Sequence, residues 1–156
     1  MGELTQRRHG FKLPGCAQRE KTGRAALPET KEGVGRRSMR MEFGKFKFGS
    51  LKIDGIKYKH DLVIDRGKIR AREKKGSRTF RDQFGHTPVS LKEKIPWRCT
   101  RLVVGTGMYG SLPVMRQVKR KARRKRVDIL ILPTVDAIET LVKKPKNTNA
   151  ILHVTC

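Results

Sequence analysis

From Phe46 onward the chain alternates between apolar and polar residues, which is the period of a β-strand with one buried face. Phe46 and Phe48 flank a lysine, and Leu51 and Ile53 flank another lysine. Alternation of this kind places apolar side chains on one face of a strand and charged side chains on the other. The pattern therefore predicts short, half-buried strands at the start of the folded region.

Two dipeptides mark hairpin turns between these strands. Asp54-Gly55 lies between two such segments, and it favours a type I′ turn because that turn needs positive φ at both central residues. A second pair of strands, 62–64 and 68–71, is joined around Arg66-Gly67. The first part of the domain is therefore predicted to be a β-meander.

The second half of the chain alternates between apolar runs and helical periodicity. We predict strands at 102–104, 128–132 and 150–155, and helices at 113–124 and 135–143. Strands that are separated by helices pair in parallel through crossover connections. The predicted fold class is therefore α/β with α+β character, in which a βαβαβ half follows the meander.

A polar segment, 72–94, separates the two halves. It contains Gly76, Gly85 and Pro88 and shows no periodicity until 90–94, where we predict a short helix. A loop of this length within a compact domain is commonly functional or mobile. Its charged residues are therefore candidates for ligand contact.

Residues 1–40 differ in composition from the rest of the chain. They contain six glycines, ten basic residues, four acidic residues and no apolar periodicity. Such a segment cannot bury enough apolar surface to fold, so we predict a disordered basic tail followed by one domain at 41–156. Translation from Met39 or Met41 is an alternative that would leave this tail out.

Positive charge dominates the composition of the 156-residue chain, since 38 Lys and Arg stand against 14 Asp and Glu, a formal net charge of +24. This excess attracts polyanions at low salt. The longest apolar run, 129–132, is far too short to span a membrane, and the N-terminus lacks the hydrophobic core of a secretory signal. Three cysteines without paired spacing indicate reduced thiols. We therefore predict a cytoplasmic protein, with a mitochondrial location as the alternative in a eukaryote.

The segment from Gly105 to Gly110 reads G-x-G-x-x-G directly after a predicted strand, where a dinucleotide-binding turn would lie. The context differs from that motif, because Pro113 is expected to begin the helix after the turn and the next strand ends without an acidic residue. We therefore predict no cofactor and interpret the glycines as a tight turn. Exposed N–H groups at such a turn still favour a small anion or a protein partner. The candidate residues for that role are Gly105, Thr106, Gly107, Tyr109, Gly110, Thr134 and His86.

Basic residues are concentrated at 116–126, where eight of eleven residues are basic and none is acidic. Val114, Val118 and Ala122 recur every four residues and form the predicted buried stripe of this helix. The simplest interpretation of the cations is a solvated helix face. The alternative is non-specific contact with nucleic-acid phosphates, together with the basic loop 72–84. The candidate residues for nucleic-acid contact are Arg116, Lys119, Arg120, Arg123, Arg124, Arg78 and Arg81.

His153 and Cys156 are candidates for a thiol–imidazole pair or a metal site. If both lie in the last strand, alternation sends them to opposite faces, and together they supply at most two metal ligands. The neighbouring pair His60-Asp61 is separated in the same way. We therefore predict no metal site and no catalytic constellation, and an enzyme that uses Cys156 or a bound cofactor is a minor alternative.

Several short motifs occur in order across residues 41–156. They are Phe48-Gly49, Asp54-Gly55 with Tyr58, His60-Asp61-Leu62, Gly85-His86, Val104-Gly105-Thr106-Gly107, Leu132-Pro133-Thr134, Ala137 and His153-Val154-Thr155-Cys156. Together they resemble the adipogenesis-associated Mth domain family, which includes a mitochondrial complex I assembly factor and many bacterial and archaeal proteins. The resemblance implies a three-layer arrangement with a mixed central sheet. It implies no enzyme activity and a role in protein–protein contact.

The leading hypothesis for function is accordingly a non-catalytic accessory or assembly-type protein that binds a protein partner or a small anion. The second hypothesis is a non-specific nucleic-acid-associated protein. The sequence indicates neither the identity of the partner nor the oligomeric state.

Overall fold

The computed structural model describes residues 40–156, so the predicted basic tail lies outside the described residues apart from Arg40. The strands are β1 (Phe43–Lys47), β2 (Ser50–Ile53), β3 (Ile56–Tyr58), β4 (Leu62–Asp65), β5 (Lys68–Ala71), β6 (Arg101–Thr106), β7 (Asp128–Leu132) and β8 (Thr148–His153). The helices are α1 (Arg81–Phe84), α2 (Arg116–Arg124) and α3 (Thr134–Lys143), and a 3-10 helix at Lys75–Phe80 precedes α1. The predicted α/β fold class is confirmed.

Both predicted hairpin turns form. Asp54 and Gly55 have φ of 49° and 81° between β2 and β3, and Ile53 pairs with Ile56 across the turn. Arg66 and Gly67 have the same φ values, 49° and 81°, between β4 and β5. Positive φ at both central positions matches the right-handed twist of the paired strands.

The strands of the predicted meander belong to two sheets. β1, β2 and β3 form a three-stranded antiparallel sheet, whereas β4 and β5 join a five-stranded sheet in the order β5-β4-β8-β6-β7. In that larger sheet β6 pairs in parallel with β7 and β8, as the alternation of strands and helices predicted, and β4 pairs antiparallel with β8. The central sheet is therefore mixed.

The core lies on both faces of the five-stranded sheet. In β4, Leu62 and Ile64 pack into a cluster with Ala137 of α3 and residues of the small sheet, whereas Val63 points into a second cluster with Val118 of α2. Alternate residues of β6 and β8 divide between the clusters in the same way. Because both faces are covered, the central strands contain continuous apolar runs, at 102–104 in β6 and 150–152 in β8.

The polar segment between β5 and β6 differs from its predicted structure. A short helix at 90–94 was predicted, but the chain there forms turns, and the helical residues lie earlier, in the 3-10 helix and α1. The Ser90 hydroxyl accepts a hydrogen bond from the Lys92 N–H at 3.2 Å, and its carbonyl accepts one from the Glu93 N–H at 3.2 Å. A serine that binds the following backbone in this way favours a turn over a helix.

Helix α2 also begins later than predicted, at Arg116 rather than Pro113. Val114 forms a parallel bridge with Val89, and the N–H of Met115 donates to the carbonyl of Val89 at 3.1 Å. These bonds hold the residues before α2 in an extended conformation. The proline therefore lies in the strand-like approach to the helix and not in its first turn.

Candidate functional site

Asp61 and His153 meet at one end of the central sheet. Because β4 runs antiparallel to β8 with Leu62 opposite Leu152, the residue before β4 and the last residue of β8 become neighbours. Asp61 Oδ1 lies 2.8 Å from His153 Nδ1, and both side chains are buried. The contact joins residues 92 positions apart in the chain.

Cys156 lies on the other side of the same imidazole. Its Sγ is 3.1 Å from His153 Nε2, and the Thr155 hydroxyl lies at the same distance, 3.1 Å, from that nitrogen. His153 and Cys156 were predicted to lie on opposite faces of a strand, which is wrong because β8 ends at His153. Beyond that point strand alternation no longer applies, and the chain brings the sulfur back against the ring.

Asp61 is surrounded by positive charge. Its Oδ2 lies 3.0 Å from Lys74 Nζ and 3.3 Å from Arg72 Nη1, and the Val154 N–H donates to Oδ1 at 3.3 Å. Burial by itself would raise the pKa of Asp61, but the hydrogen bond and charge of His153 and the charge of Lys74 outweigh burial and hold that pKa well below its usual range. The carboxylate is therefore ionised at neutral pH.

The Arg72 side chain holds the 72–94 loop against the sheet beside Asp61. Its Nε and Nη2 donate to the two carboxylate oxygens of Glu93 at 2.8 Å and 2.7 Å, and Nη2 also donates to the carbonyl of Pro88 at 3.0 Å. The guanidinium is almost completely buried. A planar guanidinium that meets a carboxylate in this two-pronged geometry fixes orientation as well as charge. The ion pair thereby holds the start and the end of the 72–94 loop together.

An open cleft of about 370 Å³ lies beside the Cys156 sulfur. Its lining residues are Lys74, Arg78, Arg81, Gly85, His86, Thr87, Leu112, His153, Thr155 and Cys156. His86 Nδ1 is 3.4 Å from Cys156 Sγ, so the sulfur lies between two imidazoles. Among the described residues, Arg78 and Arg81 form no ion pair with an acidic side chain. The cleft therefore combines a thiol, two imidazoles and unneutralised positive charge.

The glycine turn, residues 105–110, makes hydrogen bonds that hold residues of the cleft in place. The Gly107 N–H donates to the Thr134 hydroxyl at 2.9 Å, and that hydroxyl donates to the carbonyl of His153 at 2.7 Å. The Tyr109 N–H donates to the carbonyl of Cys156 at 2.6 Å. The Thr106 hydroxyl donates to the carbonyl of Leu132 at 2.8 Å. Several donors that were predicted to bind an anion thus serve internal bonds that position His153 and Cys156.

The remaining residues of the turn are placed differently. Gly105 is buried under Leu152 and Thr134, whereas Tyr109 is 76% exposed and Gly110 is open to solvent. Tyr109 and Gly110 are therefore the accessible part of the turn, and their predicted contact with a partner stays a prediction.

The predicted nucleic-acid residues separate into two groups. Arg78 and Arg81 line the cleft beside Cys156. Arg120 and Arg124 line a different depression of about 530 Å³ on α2, together with Leu91, Gln117, Lys121 and Lys125. Arg116, Lys119 and Arg123 are exposed on the same helix. The basic loop and the basic helix therefore do not share one pocket.

Asp61 and Lys74 were not predicted as residues of this site, and His153 and Cys156 were considered as a pair but rejected. The sequence motifs His60-Asp61 and His153-Val154-Thr155-Cys156 were visible, but their meeting depends on the pairing of β4 with β8. Within residues 40–156 no group of three or more His, Cys, Asp or Glu side chains is arranged to hold a metal ion. In the same range, no helix is both long enough and apolar enough for a membrane crossing.

The chain folds as a small α/β domain with a mixed five-stranded sheet, and solved structures have a similar fold. A conserved hypothetical protein from Pyrococcus horikoshii OT3 matches with a TM-score of 0.62 and 28% identity, over 74% of this chain and 100% of that chain. MT938 matches with a TM-score of 0.51 and 26% identity, over 74% of this chain and 99% of its own. A Mth938-like domain from Bordetella pertussis has a TM-score of 0.49 and 15% identity, over 73% of this chain and 85% of its own.

The likeness to the Pyrococcus protein and to MT938 supports the resemblance to the Mth938-like domain family that the sequence motifs indicated. No protein-family model and no curated protein sequence matches it. The name of the Pyrococcus protein states no activity, so the comparison supports the fold and leaves the function to be argued from the site.

Proposed function

We propose that the domain binds a small anionic ligand in the cleft beside Cys156. The observation that carries this proposal is the placement of Arg78 and Arg81 on the cleft wall without an acidic partner among the described residues. Lys74 adds a third cation, although it also contacts Asp61. Guanidinium groups bind phosphate and carboxylate through paired N–H donors, so a ligand with such a group suits the cleft.

The size and openness of the cleft favour a small molecule. A volume of about 370 Å³ lies at the low end of the range for ligand pockets. Most of the lining is polar or charged, and Leu112 is the main aliphatic contribution. We therefore expect recognition to depend on charge and hydrogen bonds more than on apolar contact.

Calorimetric titration with pyrophosphate and with citrate tests this proposal. Wild-type protein should bind at least one of them, and Arg78→Gln/Arg81→Gln should lose that binding. The matched control is Arg116→Gln/Arg120→Gln, which removes the same charge from α2 and should bind as wild type does. If the control loses binding equally, the effect comes from net charge and not from the cleft.

Nucleic-acid contact is a second candidate because α2 exposes Arg116, Lys119, Arg120, Arg123 and Arg124 and contains no acidic residue. Non-specific binding through phosphates would have a Kd of about 10⁻⁴ to 10⁻⁶ M at physiological salt. Titration of a labelled DNA duplex and a labelled RNA at several salt concentrations measures it. A hundredfold preference for one of them over a random competitor, removed by Arg120→Gln/Arg123→Gln/Arg124→Gln, would make this the primary function.

An accessory role through protein–protein contact, which the family resemblance implies, also stays a prediction, as does the cytoplasmic location. Tyr109 is the most accessible candidate for such contact because its side chain is 76% exposed. Capture of partners from a lysate should weaken with Tyr109→Ala. Equal capture by both proteins would place the contact elsewhere.

A further inference from the structure

We propose that Cys156 is a nucleophile for acyl transfer, with His153 as its general base and Asp61 as the residue that positions His153. The choice of anionic acyl compounds as substrates rests on the proposed function of the cleft. The nucleophilic role itself rests on the three side chains and their order, and it is independent of that function.

The contact with Asp61 sets the tautomer of the neutral imidazole. Asp61 is ionised and lies 2.8 Å from His153 Nδ1, so it accepts the N–H of that nitrogen. In the neutral ring the lone pair is then on Nε2, which is 3.1 Å from Cys156 Sγ. A nucleophile, a base and a carboxylate in this order are the arrangement that activates serine and cysteine in acyl-transfer enzymes.

A second imidazole lies beside the sulfur. His86 Nδ1 lies 3.4 Å from the sulfur, and its ring lines the cleft. Arg78 and Arg81 belong to the same lining and would hold the anionic part of a substrate. The sulfur therefore has a base, a second imidazole and two cationic side chains around it.

The reaction needs water as its only co-reactant. The Cys156 thiol gives its proton to His153 Nε2 while the sulfur forms a bond to the acyl carbon. The His153 imidazolium then gives this proton to the leaving group as the bond between the acyl carbon and the leaving group breaks, which leaves a thioester on Cys156 and a neutral His153. Water then gives a proton to His153 as its oxygen attacks the thioester carbon. The carbon–sulfur bond breaks, the sulfur takes that proton back from His153, and the products are the free acid and the restored thiol.

Disulfide chemistry fits the described residues less well. A disulfide-exchange site needs a second thiol within reach. Of the other cysteines, Cys99 is half-buried, donates to the carbonyl of Pro96 at 3.4 Å and does not line the cleft. Acyl transfer needs only the thiol and the imidazole that the cleft contains.

The first test compares the alkylation rate of Cys156 in the folded chain with its rate in the unfolded chain. Alkylation by iodoacetamide at neutral pH is followed by peptide mass mapping in the native full chain and in the same chain unfolded in guanidinium chloride. An ordinary thiol is only a few per cent ionised at this pH, so activation should make native Cys156 react about tenfold faster or more. Cys99 in the same sample is the internal control and should react more slowly in the native chain. A native rate for Cys156 at or below the unfolded rate overturns the proposal.

Variants then separate the roles of the side chains. His153→Ala should remove the rate advantage, and free imidazole should restore part of it, which a purely structural histidine would not allow. Asp61→Asn should lower the rate, and Asp61→Glu should recover some of it because the carboxylate is kept. His86→Ala tests the second imidazole. Its control is His60→Ala, which removes an exposed histidine outside the cleft and should leave the alkylation rate of Cys156 unchanged. If His153→Ala does not fold, the comparison of native and unfolded wild type decides alone.

The acyl step is tested with p-nitrophenyl acetate. Wild type should release a burst of nitrophenol equal to the protein concentration and carry an acetyl group on Cys156 by mass, and Cys156→Ala should show neither. Absence of the acetyl group from Cys156 overturns the proposal.

A final comparison separates the nucleophile from the anion site. For Cys156 in the folded chain, the alkylation rate with iodoacetate divided by the rate with iodoacetamide should exceed the same ratio in the unfolded chain. Arg78→Gln/Arg81→Gln should lower that ratio, and Arg116→Gln/Arg120→Gln should leave it unchanged. A fast reaction with iodoacetamide but no raised ratio contradicts anion binding in the cleft and supports the nucleophile.

Discussion

Gly107 shows how a single residue supports the site. Its φ is 97°, and a Cβ at this position would collide with the backbone carbonyls of Thr155 and Cys156. The turn can therefore approach His153 and Cys156 closely only because residue 107 has no side chain.

Gly107→Ala should lower the free energy of unfolding by about 3 kcal/mol, since a positive-φ penalty adds to a clash with backbone that cannot move away. Urea denaturation of the ligand-free protein measures this loss. The matched control is Gly110→Ala, which also has positive φ, 73°, but whose nearest contact would be 3.7 Å away. It should cost only about 1 kcal/mol. Equal losses would show that the clash at Gly107 is relieved.

Asp61 is a buried residue whose charge state contributes to stability. Removing one partner from a buried ion cluster costs about 3–5 kcal/mol, so Asp61→Asn should destabilise the protein by that amount at pH 7. Because its folded pKa lies below the unfolded value of about 3.9, its contribution is present above that pH and is lost as pH falls through the folded pKa.

The difference in Tm between wild type and Asp61→Asn should therefore shrink as pH is lowered below about 4. Thermal melts over a series of pH values measure it. Asp128→Asn is the control, because Asp128 forms an exposed pair with Arg101 at 3.3 Å and should contribute less than about 1 kcal/mol. A pH-independent difference for Asp61→Asn would contradict the ionised carboxylate.

At the scale of the elements, helix α2 has one apolar, buried face and one basic, exposed face. Val118 and Ala122 are fully buried, as the spacing predicted, whereas Val114 precedes the helix and pairs with Val89. The buried aliphatic face of α2 thus consists of two residues. Lys121 Nζ lies 5.9 Å from the centre of the Trp97 ring. The other cations of the helix project into solvent.

Arg120→Gln/Arg123→Gln/Arg124→Gln should change the free energy of unfolding by less than about 1 kcal/mol, because relief of like-charge repulsion offsets the loss of favourable charge at the helix C-terminus. Urea denaturation at low salt measures the change. Lys121→Gln is a useful comparison, since it removes the contact with Trp97. A loss above about 2 kcal/mol in the triple variant would show that these side chains have structural partners.

At the scale of the whole molecule, the buried core that the structure describes within residues 40–156 is built from residues between Leu51 and Val154. Both core clusters, one on each face of the central sheet, lie within this range. Because residues 1–40 show no apolar periodicity in the sequence, we expect the domain to fold without them.

A chain that begins at Met41 should melt cooperatively within about 5 °C of the full-length midpoint, a difference of roughly 1 kcal/mol for a domain of this size. Differential scanning calorimetry of both chains at equal ionic strength measures it. A larger drop would show that the segment before Met41 stabilises the domain.

The sequence by itself determined the elements and part of the fold. The turns at Asp54-Gly55 and Arg66-Gly67, the α/β alternation and the buried stripe of α2 all follow from local patterns, because turn geometry and side-chain periodicity depend on residues close together in the chain. The division of the first five strands between two sheets was not visible, since both hairpins have the same local pattern.

Only the tertiary structure decided the site. Asp61 and His153 meet because β4 pairs with β8, and a strand pattern does not say which distant strand it will pair with. Cys156 returns to His153 because β8 ends at that residue, and strand boundaries are set by the pairing partners as much as by the strand itself. Arg78, Arg81 and His86 reach the cleft because the Arg72–Glu93 ion pair folds the loop against the sheet. Contacts over such separations depend on the packing of the whole chain, so composition and spacing indicate the residue types, and the fold alone brings them within reach of each other.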